Sequence, residues 1–127
     1  MGDKADEHIA EGYIRLDMRK GSTTILILSL LAERPMYGYQ IAKDLATRSG
    51  GVFEFKEGTL YPALHRMEKD GLLTGYWEVV EEGPSRKYYT ITERGRDVLA
   101  RKLHDWRDFA RALLQVLEGG RADASVR

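Results

Sequence analysis

The chain has no cysteine, which excludes disulfides, thiolate metal sites and cysteine nucleophiles together. It has no excess charge of either sign: 20 Lys and Arg balance 20 Asp and Glu. A basic balance is the usual electrostatic footprint of a nucleic-acid binder, so any DNA contact has to come from cations gathered on one face. No apolar run reaches the length of a membrane span, and the N-terminal MGDKADEHIAEG is acidic where a signal peptide would be basic and then apolar. A cytoplasmic protein without membrane contact is expected. Glycine-rich phosphate loops and nucleophile motifs are missing, and His8, His65 and His104 fall in different elements without paired-ligand spacing. These absences argue against an enzyme, a metal site and a cofactor. At 127 residues, 43% of them hydrophobic, the chain can build one modest core and has no room for a second catalytic domain.

What is present is organised around Glu57 to Leu73, EGTLYPALHRMEKDGLL. Leu60, Ala63, Leu64 and Met67 recur at helical spacing and form an apolar face, while Pro62, His65, Arg66 and Lys69 fall opposite. Thr59 is placed to cap the helix, Pro62 is read in its first turn, and Gly71 closes it. Directly afterwards the period changes to strand-like in LTGYWEVV, and a second strand-like run, RKYYTIT, follows the turn Glu81-Glu82-Gly83-Pro84-Ser85. Helix and then hairpin is the order in which a winged helix-turn-helix presents a recognition helix and its wing.

Upstream, Asp3 to Met18 reads as a helix with a narrow apolar stripe through Ile9, Tyr13 and Leu16. Such a stripe either packs on something outside the core or belongs to a solvated tail. TTILILSLLAE is apolar on almost every side until Pro35 stops it, so it is the buried rod of the core. YGYQIAKDLATRSGG follows as the first helix of the helix-turn-helix, with Tyr37, Ile41, Ala42 and Leu45 on one face and Gly50-Gly51 at its end. Phe53 and Phe55 in the next loop are expected to tuck under the domain.

Downstream, Thr92-Glu93 opens a helix whose apolar residues Leu99, Leu103, Trp106, Ala110, Leu113 and Leu117 alternate in steps of four and three, the spacing of a coiled-coil seam. Phe109 and Leu114 widen the stripe. Such a helix outreaches a small domain, and the simplest cover for its outer part is the same helix of a second copy, hence a homodimer. Gly119-Gly120 is read as its end. The expected fold is mainly α with a small β-hairpin (α+β). Residues 1–20 form an N-terminal helical extension, 21–92 a winged helix-turn-helix domain, 93–118 a dimerisation helix and 119–127 a polar, flexible tail.

In order and spacing, KGSTTILILSLLAERPMYGYQIAKDL, GTLYPALHRMEKDGLL, WEVVEEGPSRKYYTIT and ERGRDVLARKLHDW resemble the PadR family of bacterial transcriptional regulators over about Lys20 to Leu117. The resemblance implies a dimeric repressor that binds a palindromic operator in double-stranded DNA and is released by a small aromatic or drug-like effector. It also implies that an extra N-terminal helix packs on the partner's C-terminal helix. A winged-helix protein-interaction module, or a ligand-binding dimer without operator preference, is the alternative.

The candidate DNA contacts are Tyr39, Lys56, Thr59, Tyr61, His65, Arg66, Arg86 and Lys87. Hydroxyls and cations can hold phosphates, Arg66 can also reach guanine, and His65 can donate to a base edge. Tyr61 is either a DNA contact or a half-buried ring supporting its helix. Glu78, Glu81 and Glu82 restrict the wing's contact to Arg86 and Lys87. The dimer and effector candidates are Ile9, Tyr13, Leu99, Leu103, Trp106, Phe109, Ala110, Leu113 and Leu117. Trp106 is either an interface anchor or, as in some members of the resembled family, one half of an indole pair around a flat ligand.

Overall fold

A computed structural model describes residues 22–126, with side chains to residue 119. The expected N-terminal helix, with Ile9 and Tyr13, lies outside the described residues.

Helix α1 covers residues 22–33 and behaves as its composition requires. Ile25, Ile27, Leu28, Leu30 and Leu31 are all buried, and Leu26 and Ala32 pack on the same cluster. Pro35 follows the helix, and the chain then becomes extended for two residues, Met36–Tyr37, as strand β1. The sequence reading assigned Tyr37 to the next helix. Two extended residues carry no visible period, and what makes them a strand is distant: Met36 pairs with Tyr89 and Tyr37 with Tyr88.

Helix α2 spans Gly38–Arg48 and buries Gly38, Ile41 and Leu45. Tyr37 is its N-cap, and the Tyr37 amide donates to Gln40 Oε1 at 3.2 Å. Gly50 and Gly51 leave the helix in the left-handed region at φ 61° and 88°, a conformation that disfavours side chains. Phe53 and Phe55 are both half-buried against the core.

Helix α3 spans Glu57–Lys69 and buries Leu60, Leu64 and Met67, the expected face. Its start differs from expectation. Lys56, not Thr59, is the N-cap, with its carbonyl accepting from the Thr59 and Leu60 amides at 2.9 Å each. Thr59 therefore lies inside the first turn. Pro62 consequently lies in the second turn, where its missing amide denies the Gly58 carbonyl a helical partner; Gly58 is exposed, so water can serve it.

Strands β2 (Leu73–Glu78) and β3 (Arg86–Ile91) pair antiparallel from Leu73 with Ile91 out to Glu78 with Arg86. With β1 they make a sheet in the order β1-β3-β2. Alternation puts Leu73, Gly75 and Trp77 on one face with Ile91, Tyr89 and Lys87. Only the inner end of that face is core: Leu73, Tyr89 and Ile91 are buried, while Trp77 is exposed. The hairpin thus starts in the core and leaves it as a wing.

Helix α4 spans Glu93–Val126. Thr92 caps it as expected: its Oγ1 accepts from the Gly95 amide at 3.0 Å and donates to the Gly71 carbonyl at 2.6 Å. Gly95 itself was not anticipated as a contact. A Cβ there would lie 2.3 Å from the Leu72 carbonyl oxygen, so only glycine lets α4 approach the α3–β2 junction this closely. At the far end the helix passes through Gly119 and Gly120 instead of stopping before them. Gly119 does not adopt the positive φ that ends α2, so the helical hydrogen bonding runs on.

Candidate nucleic-acid interface

Burying Leu60, Leu64 and Met67 turns the other side of α3 outwards, and Thr59, Tyr61, His65, Arg66 and Lys69 are all exposed there. The wing rises beside this face. Between them lies a groove of about 350 Å³ lined by Tyr37, Gly38, Tyr61, His65, Trp77, Ser85, Arg86, Lys87 and Tyr89. Four of the sequence-derived candidates, Tyr61, His65, Arg86 and Lys87, are brought together by it.

Tyr61 is a ring that supports its helix and keeps part of its surface open. A Cβ on Gly38 would come within 2.9 Å of the Tyr61 ring, so the missing side chain at the start of α2 is what lets the ring lie there. The residue nevertheless keeps 38% of its surface exposed. The ring supports α3 against α2, and a face of it remains open to the groove.

The wing's two cations have different surroundings. Arg86 is exposed and places its guanidinium 4.8 Å from the centre of the Tyr37 ring. Lys87 is half-buried, and its ammonium donates to Glu68 Oε1 at 2.9 Å. The hydrogen bond from Lys87 holds the Glu68 carboxyl below the usual carboxylate range, and Glu68 in turn raises Lys87. Lys87 is thus paired with a carboxylate, while Arg86 is exposed and rests on an aromatic ring. Nothing local in the sequence flags Glu68 as a partner, since it lies on another element 19 residues away.

Tyr39 and Lys56 are not part of this groove. They line a second groove along α2, of about 490 Å³, with Lys43, Glu54, Phe55 and two alanines, and the Tyr39 ring stacks on Tyr37 at 6.4 Å. Tyr39 is 65% exposed beside the amino end of α2, whose first amides are natural phosphate donors. Lys43 was missed as a candidate, although its place one helical turn after Tyr39 on α2 was the available signal.

The α4 stripe separates in two. Val98 and Leu99 pack on the core, and Leu103 and Trp106 are half-buried. Beyond them Phe109, Ala110, Leu113, Leu114, Val116 and Leu117 are exposed, Phe109 at 60%, Leu117 at 69% and Val116 at 82%. Trp106 and Phe109 meet edge to face at 6.1 Å and, with Asp105, line a shallow apolar depression of about 300 Å³. Among the described residues no helix is long and apolar enough to cross a membrane, and no cluster of three His, Cys, Asp or Glu side chains is arranged to hold a metal ion.

A helix exposing a polar face beside a wing, built on a three-stranded sheet and continued by a long helix, defines a winged helix-turn-helix regulator. Residues 27–101 match the model of the transcriptional regulator PadR-like family, and the chain belongs to that family. It is similar to the crystal structure of a PadR family transcriptional regulator from Eggerthella lenta, with 33% identity, a TM-score of 0.78, and coverage of 91% of this chain and 97% of that one. A PadR family regulator from Clostridium difficile is 40% identical, with a TM-score of 0.67 and coverage of 76% and 98%. A transcriptional regulator of Mycobacterium tuberculosis is 33% identical over 98 residues, which is 77% of this chain and 88% of that protein.

Proposed function

We propose that this PadR-like regulator is a homodimeric, cytoplasmic repressor that reads a palindromic operator, with α3 in the major groove and the wing on the flanking backbone. The observation that carries the reading is the open groove between α3 and the wing, where Tyr61, His65 and Arg86 converge beside the exposed Arg66. Arg66 and His65 face base edges or phosphates, Thr59 and Tyr61 offer hydroxyls to phosphates, and Arg86 supplies the wing's exposed charge. Lys56, Lys43 and Tyr39 hold the backbone on the α2 side. The acidic Glu81 and Glu82 keep the wing tip off the phosphates. This arrangement lets a chain of zero net charge bind DNA, because exposed cations such as Arg66 and Arg86 stand on the face that would meet it.

Dimerisation is supported by the apolar outer stretch of α4, which its own chain leaves exposed from Phe109 to Leu117. A two-fold dimer presents two recognition helices and so calls for a palindromic operator. A small aromatic or drug-like effector fits the depression at Trp106 and Phe109 on the same seam, where a ligand would change the distance between the two winged domains.

The test is fluorescence anisotropy against labelled DNA from upstream of the protein's own gene, with scrambled competitor, between about 50 and 200 mM salt. Operator-specific binding that weakens steeply with salt is expected. Equal affinity for both sequences, or none for either, would move the chain to the protein-interaction or ligand-binding class.

A further inference from the structure

Lys87 faces the candidate DNA groove, yet every polar contact it makes points inwards. Its ammonium sits 2.9 Å from Glu68 Oε1 and 5.2 Å from the centre of the Tyr89 ring. The other oxygen of Glu68 accepts the Gly75 amide at 3.2 Å, so one carboxylate on α3 holds both strands of the wing at once. Gly75 is what admits it. A Cβ at that position would lie 2.5 Å from Lys87 Cε and 2.8 Å from Glu68 Oε2, so a side chain there would displace the pair. A glycine in a strand interior weakens the strand, and here it clears the space in which helix and wing are joined. The wing's other hold is aromatic, with Arg86 over the Tyr37 ring and Tyr88 between the Tyr37 and Tyr76 rings; Glu68 supplies the charged one, while residues 76–86 are exposed.

We infer that Glu68, Lys87 and Gly75 form a strut that sets the angle between the recognition helix and the wing, and that Glu68 and Lys87 are positioning residues for DNA reading, with Lys87 making no phosphate contact. The inference rests on the DNA-reading function proposed above. It makes an unusual electrostatic statement. Removing the negative charge of Glu68, which sits on the recognition helix next to the groove-lining Lys87, should by charge alone tighten binding, whereas loss of a strut weakens it.

The experiment compares Glu68→Gln, Lys87→Met, the double variant and Arg86→Ala for affinity to the operator across salt, and measures amide hydrogen exchange of residues 73–91 without DNA. Glu68→Gln and Lys87→Met should each weaken operator binding about tenfold. The double variant should be no weaker than the worse single one, as expected of two residues acting through one contact. The slope of log affinity against log salt should stay at the wild-type value in all three, whereas Arg86→Ala should lower it by about 0.9, one phosphate contact. Wing amides should exchange several-fold faster in both single variants. Tighter or unchanged binding by Glu68→Gln overturns the strut, as does a salt slope lowered by Lys87→Met. Unchanged wing exchange in both singles overturns it without reference to DNA. Wild-type protein that shows no operator preference would instead refute the proposed function, and the exchange measurement would still decide whether the pair holds the wing.

Discussion

Helices α1 and α4 are both rich in leucine, and they meet opposite fates. In α1 apolar residues occur on nearly every side, and the domain closes around them: Ile27, Leu28, Leu30 and Leu31 are buried within a single chain. In α4 they follow a stripe, and the same chain covers only the start of it. The helix is 34 residues long, about 51 Å at 1.5 Å per residue, while the core it leaves is finished by Leu99. The difference teaches where this chain's own folding information ends. Along α4 the stripe packs on its own chain's core as far as Leu99, and from Phe109 onward it is exposed.

The contrast is broken most forcefully from the α1 side. Leu28→Ala should cost roughly 2–5 kcal/mol, through lost burial and an unfilled cavity. Because Leu28 is enclosed by its own chain, the loss read from denaturant unfolding should be the same at every protein concentration. A loss that shrinks as protein concentration rises would mean that the core is completed by a second copy.

Where α4 meets the winged domain, Gly95→Ala is expected to destabilise by about 1–3 kcal/mol, since its Cβ would press on the Ile91 side chain and, closer still, on the Leu72 carbonyl, which cannot turn away. In calorimetry this should lower the melting temperature although alanine is the better helix former. An unchanged or raised melting temperature would show that α4 can shift outwards without cost, which would detach the long helix from the winged domain.

On the α4 side the expected effects lie in association. Phe109→Glu or Leu113→Glu should leave the unfolding of the winged domain nearly intact, while the dimer dissociation constant read by sedimentation rises by tenfold or more, because a charge is placed on an apolar seam. Trp106→Ala should loosen the dimer in the same direction. An unchanged dissociation constant in all three would place the dimer contact elsewhere.

These two regions were also unequally legible in the sequence. The α1 rod, the buried face of α3, the Gly71 stop and the Thr92 cap were visible because each depends on residues within a turn or two of one another. What was missed depends on distance along the chain. Strand β1 exists only through Tyr88 and Tyr89, Gly95 matters only because of Leu72, and Glu68 finds Lys87 across the wing. The start of α3 was misplaced because a threonine with capping chemistry lay two residues inside a helix that Lys56 caps with its backbone alone. The charged faces could be listed from the sequence, but whether a cation rests on an aromatic ring, like Arg86, or pairs with a carboxylate, like Lys87, is decided by the fold.

The smallest expected effect is the response to pH, and it separates the two regions by a different criterion. Glu68 has its carboxyl lowered in the folded protein, so its contribution is complete above the ordinary value of 4.5 and is lost as pH falls through the folded value. Lys87 is raised, so its contribution is complete below 10.5 and disappears as pH climbs through the folded value. The pair is therefore intact across the whole neutral range, and pH should reach it only from the acid or the alkaline end. With both side chains about one-third exposed, solvent screening limits the stability at stake to under about 1 kcal/mol. Denaturant unfolding of wild type against Glu68→Gln should thus give parallel stabilities from pH 6 to 9 and converge as pH falls below the ordinary carboxylate value of 4.5. Since Glu68 and Lys87 belong to one chain, the convergence should be independent of protein concentration, whereas any pH effect on the α4 seam should vary with it. Wild type and Glu68→Gln that remain parallel throughout the acid range would mean that the carboxylate charge contributes nothing to the winged domain's stability.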